Sequence, residues 1–166
     1  MRRILSVVLG ALALGLFSAG AQIWTFHTTL TADQEVPPTS SPATGVAMGT
    51  YDQSTNMLQI TVNASGFESD LLFGHIHRGA VGATGPVIFP LTNTSSDPRV
   101  WTSSNTFTLT EAQEADFLGG LYYVNLHTRT FASGAIRGQI FPVPEPASLL
   151  ALSTGLLVCL RRRRAR

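Results

Sequence analysis

The stretch "NMLQITVNA", residues 56–64, sets Leu58, Ile60 and Val62 two residues apart with polar residues between them. Side chains at that interval share one face of a strand, so the segment can bury one face and wet the other only as β structure. The same period, with many threonines, glycines and β-branched residues, runs through most of residues 22–143. It predicts strands in "QIWTFHTTL", "GVAMGTYD", "NMLQITVNA", "LLFGHIH", "GPVIFPL", "VWTSSNTFTLT", "LYYVNLHT" and "GAIRGQIFPV", the second and third forming a hairpin across residues 52–56. The polar, proline-containing "TADQEVPPTSSPAT" reads as a loop crossing an end of the fold. Helical spacing occurs once, in "LTEAQEADFLGG". There Thr110 and Gln113 have capping-box spacing, Glu111 and Glu114 suit the positive N-terminal end, and Gly119 or Gly120 stops the helix. This predicts a helix over residues 111–118 and no other between residues 22 and 143. The fold class expected is all-β: a Greek-key-like antiparallel β-sandwich or barrel with one short helical insertion.

Both ends of the chain place an apolar run beside arginines. At the start, Arg2 and Arg3 precede an apolar run and then small residues at Ala19 and Ala21, so residues 1–21 read as a signal peptide. At the other end come Pro144, Glu145 and Pro146, the apolar residues 147–160, and then Arg161, Arg162, Arg163 and Arg164. Proline lacks a backbone donor and disfavours helix in the residue before it, so a helix can begin only beyond Pro144. The fourteen residues 147–160 give roughly 21 Å of helix at ~1.5 Å per residue, short of a ~30 Å hydrocarbon core. Snorkelling arginines can cover part of the gap, and four consecutive arginines mark a stop at a cytoplasmic membrane face.

This order of Pro-Glu-Pro, apolar stretch and arginine cluster resembles the PEP-CTERM sorting signal of Gram-negative bacteria. The resemblance implies export by the secretion machinery and a transient hold in the inner membrane through residues 147–160. It further implies recognition of the tail by an exosortase and delivery to the cell envelope, outer surface or extracellular matrix, in association with exopolysaccharide. A plain C-terminal anchor is the alternative. The organisation expected is a signal peptide over residues 1–21, a β domain over 22–142 and a sorting tail over 143–166.

All eleven basic residues are arginine, and seven of them lie in the two flanks. Between residues 22 and 143, four arginines face nine acids, a balance of −5, although the whole chain is formally +1. An acidic domain without lysine argues against nucleic acid as a partner. The only cysteine, Cys159, lies in the apolar tail, which leaves the middle of the chain without a disulfide or thiolate chemistry.

Seven motifs fall in order along that middle: "LTADQEVPP", "GVAMGTYD", "ITVNASGF", "GHIHRGAVGATGPV", "TLTEAQ", "LYYVNLHT" and "GAIRGQI". Together they resemble the CHRD domain, the module named after chordin and found in many bacterial secreted proteins. The resemblance implies a β module with no established biochemical activity.

Alternation puts His75 and His77 on one side of a strand and Ile76 on the other. His127, near the end of a later strand, could join them if the two strands share a sheet. Three imidazoles form a first shell for one zinc or copper ion with a position left open, and ligation would weaken as pH falls through ~6.5. The alternative is structural, with the pair bonding carbonyls of the 78–86 loop. His27 reads as a local hydrogen-bonding residue. The His, apolar, His triplet before a glycine-rich loop is similar in order to copper-zinc superoxide dismutases. The further histidines and the aspartate of the zinc site there are absent, as is a disulfide pair.

No serine sits in a glycine-flanked elbow, and the carboxylates, scattered over loops and helix, read as solvated. Two functions are therefore open. One is a non-catalytic binding or structural module of the envelope or matrix that meets polysaccharide or another surface protein. The other is a mononuclear copper or zinc domain on His75, His77 and His127.

Overall fold

Two antiparallel sheets form the framework of the protein in the computed structural model, which describes residues 22–145. The expected signal peptide (residues 1–21), Pro146, the apolar residues 147–160 and Arg161, Arg162, Arg163 and Arg164 lie outside the described residues. In chain order the elements are β1 (Ile23–Leu30), β2 (Thr44–Asp52), β3 (Met57–Ser65), β4 (Leu71–Arg78), β5 (Val87–Leu91), β6 (Trp101–Thr108), α1 (Glu111–Leu118), β7 (Tyr122–Thr128), β8 (Ile136–Gln139) and β9 (Val143–Pro144). The first sheet runs β6-β3-β2-β1-β9 and the second β5-β4-β7-β8. The chain crosses from the first sheet to the second after β3, returns after β5 to lay β6 beside β3, and crosses again through α1. That is the sandwich expected from the alternation.

The register explains which residues fill the core. Leu58, Ile60 and Val62 of β3, Ile76 of β4, and Val124 and Leu126 of β7 all point inward and are at most 2% exposed. Each such side chain contributes about 1.5–3 kcal/mol by leaving water. Helix α1 closes one end of the sandwich with a single anchor. Phe117, fully buried, packs at 5.3 Å from Tyr51, 5.9 Å from Phe26 and 6.0 Å from Tyr122 between ring centroids. Its start is fixed by the capping box: Gln113 N–H donates to Thr110 Oγ1 at 3.3 Å, and Thr110 N–H donates to Gln113 Oε1 at 2.9 Å. After Gly119, Gly120 turns the chain into β7 at φ +70°, a conformation that costs glycine little.

Two details depart from expectation. A 3-10 turn at Ala32–Gln34 adds helical backbone inside the segment read as a plain loop. That segment also runs along β8 rather than merely crossing an end: Thr31 and Arg137 exchange backbone hydrogen bonds at 2.9 and 3.1 Å, and Thr39 Oγ1 donates to the Ala135 carbonyl at 2.8 Å. The second departure is β9. Val143 and Pro144, read as the start of a tail, pair with Thr25 and Trp24 at the edge of the first sheet. Proline fits there because an edge position requires no donor from it.

Candidate metal centre

The outward face of the second sheet is polar, yet it is not open to water. Pairing of β4 with β7 sets Phe73 opposite His127, His75 opposite Asn125 and His77 opposite Tyr123. Pairing of β7 with β8 sets Asn125 opposite Arg137 and Tyr123 opposite Gln139. Loops lie over this grid, so His77, His127, Asn125, Arg137 and Gln139 are all at most 9% exposed. Buried polar groups have to be hydrogen-bonded, and the loops supply most of the partners.

Arg137 donates to the Ala83 and Ala80 carbonyls at 2.8 and 2.9 Å and to Gln139 Oε1 at 2.8 Å. Gln139 Nε2 donates to the Gly79 and Gly120 carbonyls at 2.9 and 2.8 Å. The 79–85 loop is thereby pinned over the sheet. The Tyr123 ring lies between two cationic or polar neighbours: the Arg137 guanidinium at 3.5 Å on the β8 side, and the His77 ring stacked at 5.0 Å on the β4 side. Its hydroxyl accepts from the Gly85 N–H at 3.1 Å.

The three histidines expected from sequence converge. One ring nitrogen from each of His75, His77 and His127 lies within 4.8 Å of the others. Carbonyl partners fix two of the tautomers, because a carbonyl can only accept. His77 Nδ1–H donates to Gly85 O at 2.9 Å and His127 Nδ1–H donates to Ala132 O at 3.0 Å. Both Nε2 atoms therefore carry lone pairs. That of His127 faces His75 Nδ1 at 3.3 Å, whereas that of His77 is buried with no hydrogen-bond partner among the described residues. Nitrogens bound tetrahedrally at ~2.0–2.1 Å to one ion stand ~3.3 Å apart, which is the spacing the His75–His127 pair already has.

The structural reading holds for one member of the pair. His77 fixes the 78–86 loop through Nδ1, which leaves Nε2 free, whereas the side-chain partner of His75 is His127 rather than that loop. A metal-bound histidine commonly donates its other ring N–H to a carbonyl, as His77 does, which fixes the tautomer and the orientation of the ring. Burial pushes all three imidazoles below the usual histidine pKa, His127 to about 4, with His75 lowered further by His77, and His77 further by Arg137. They are therefore neutral at pH 7, as ligation requires. His75, half-buried and stacked on the exposed Phe73 ring at 5.9 Å, forms the open side of the cluster.

His27 does not behave as expected. It stands exposed opposite Met48 and makes no side-chain hydrogen bond to the described residues. Conversely, the reading of the acids as solvated missed Glu35, which is 6% exposed and reaches Asn125 from the segment between β1 and β2. The outward Tyr123, Asn125 and His127 of "LYYVNLHT" are the sequence signal for a buried polar face, since water-facing strand positions seldom combine an aromatic, an amide and an imidazole.

The family model of the CHRD domain matches residues 26–140. That of the PEP-CTERM protein-sorting motif matches residues 142–164. No curated protein matches the chain.

Proposed function

The chain belongs to the CHRD domain family, and on that premise we propose that it is a surface module whose second sheet holds one zinc or copper ion on His75, His77 and His127. Its PEP-CTERM motif implies export to the bacterial envelope or surface through the secretion machinery and an exosortase. The observation that supports the metal reading is the buried, unpartnered Nε2 of His77, in a cluster where each of the three imidazoles brings a ring nitrogen within 4.8 Å of the others. Leaving such an atom unpaired costs about 1–3 kcal/mol, which a bound cation offsets. Three neutral imidazoles without thiolate or carboxylate favour zinc or copper over the hard cations calcium and magnesium. Residues 73–77 leave one side of the ion open to a water or a ligand.

For the address, residues 1–21 act as a removable signal peptide and residues 22–142 as the surface domain. Residues 147–160 hold the tail in the inner membrane, with Arg161, Arg162, Arg163 and Arg164 on the cytoplasmic side, until an exosortase cuts near residues 144–146. At the surface the domain works without catalysis, binding polysaccharide or another surface protein. Elemental analysis of the protein purified without chelator tests the metal reading. About one zinc or copper per chain supports it, and a metal-free protein that also takes up neither ion on dialysis overturns it.

A further inference from the structure

Glu35 and Asn125 lie side by side on the covered face of the second sheet, 6% and 4% exposed. Asn125 Nδ2 donates to Glu35 Oε2 at 3.3 Å. The other two oxygens, Glu35 Oε1 and Asn125 Oδ1, are both buried and have no hydrogen-bond partner among the described residues. They border the same space, since a Cβ built on Gly134 would meet each of them at 2.7 Å. Two buried acceptors that border one space without a donor lack the solvation each has lost. One proton resolves both deficits: Oε1–H donates to Oδ1 while Nδ2–H donates to Oε2, the eight-membered ring of a carboxylic acid paired with a primary amide.

We infer that Glu35 and Asn125 form a proton-binding site, in which a neutral carboxyl and an amide exchange two hydrogen bonds and latch the segment between β1 and β2 onto β7. The surroundings agree. Burial is the largest influence on Glu35 and raises its pKa to about 7, against the opposing pull of Arg137, the Asn125 amide and the Val36 N–H. Arg137 spends its donors on Ala80, Ala83 and Gln139 and makes no ion pair with Glu35. The other titratable groups on this face are His75 opposite Asn125, and Tyr123 and His127 two residues to either side of it. The 129–134 turn contributes only Arg129, which is exposed and pairs with Asp70 at 3.5 Å. Asp33 on the 3-10 turn is exposed.

The sign follows from linkage. A carboxyl whose folded pKa lies above its unfolded value stabilises the fold most below about 4.5, and that contribution is lost as pH rises through about 7. The latch therefore opens on the alkaline side. Its opening reaches the turn that holds His127, because Gly134 packs against the pair and Ala132 supplies the carbonyl to His127 Nδ1.

The test uses the full chain in detergent after chelator treatment, so that its outcome is independent of metal binding. In Glu35→Gln an amide–amide pair supplies the same two hydrogen bonds with no titrating proton. Between pH 5 and pH 8.5, the wild-type folding constant should fall relative to that of the variant by on the order of 10²-fold. Equal pH slopes in the two proteins, or a variant less stable than wild type at pH 8.5, overturn the inference. Carbon-13 NMR of the Glu35 carboxyl gives the answer without any variant: titration near 7 supports the site, and titration in the ordinary glutamate range overturns it.

Discussion

Adding zinc or copper(II) to the metal-free protein at pH 7 should raise its melting temperature by about 10 °C when the free ion is held at 100 times its Kd. That excess stabilises the folded state by about 2.7 kcal/mol. The described region spans residues 22–145, and a unit of that size unfolds with an entropy of about 0.26 kcal/mol/K, so the shift is near 10 °C. His75→Ala is the informative perturbation. His75 is the least buried of the three, and its one side-chain hydrogen bond goes to His127, so truncation costs the metal-free fold under about 1.5 kcal/mol while removing a ligand. The metal-induced shift should then shrink to a few degrees or vanish. Because burial depresses all three histidine pKa values, the wild-type shift should begin to weaken at a pH below the ~6.5 of a free imidazole and be lost by about 4, where His127 itself protonates. Differential scanning fluorimetry across pH, with calcium as a control, reads each of these. An undiminished shift in His75→Ala, or an equal shift with calcium, would refute the three-imidazole argument.

Other consequences can be checked separately. Gly85→Ala would drive a methyl group into the Arg78 carbonyl, breaking the clamp on His77; metal uptake should drop at least tenfold in an equilibrium titration while circular dichroism still shows sheet. Leu126→Ala, at a fully buried inward position, should cost about 2–5 kcal/mol in urea unfolding. Thr110→Ala removes half of the α1 capping box and should cost about 1 kcal/mol by the same assay. Glu145→Ala should leave export intact and block removal of the tail, and a released protein of unchanged mass would favour a simple anchor instead.

What could be read in advance divides along physical lines. Alternation fixes which side of a strand a residue takes, so Leu58, Ile60 and Val62, and the shared side of His75 and His77, were legible one strand at a time. The capping box of Thr110 and Gln113 is local and equally legible. Strand pairing across 52 residues is not local, and it is what brings His127 to His75. Nothing in the sequence states that β4 and β7 are neighbours; that depends on the total packing of both sheets. Glu35 illustrates a further limit. An acid in a polar, proline-rich segment has every local mark of solvation, and only the docking of that segment beside β8 buries it. The two-residue β9 escaped because Val143 and Pro144 carry no alternation of their own and take their conformation from the edge of β1.

That short strand also has a mechanical consequence. Glu145 N–H donates to the Ile23 carbonyl at 2.8 Å, and Gln22 Nε2 reaches the Glu145 carbonyl at 3.4 Å, so the first and last described residues leave the sandwich at one corner. A pull on the tail meets β9 alone and opens its few hydrogen bonds one after another, as in peeling. A pull between the two ends would first separate β9 from β1, whose pairing is two residues long, before the eight-residue pairing of β1 with β2 gives way. The fold thus behaves as a pendant on a single suspension point: force on that point spends itself first on a detachable hem and reaches β8, in the histidine sheet, only after β9 has come away.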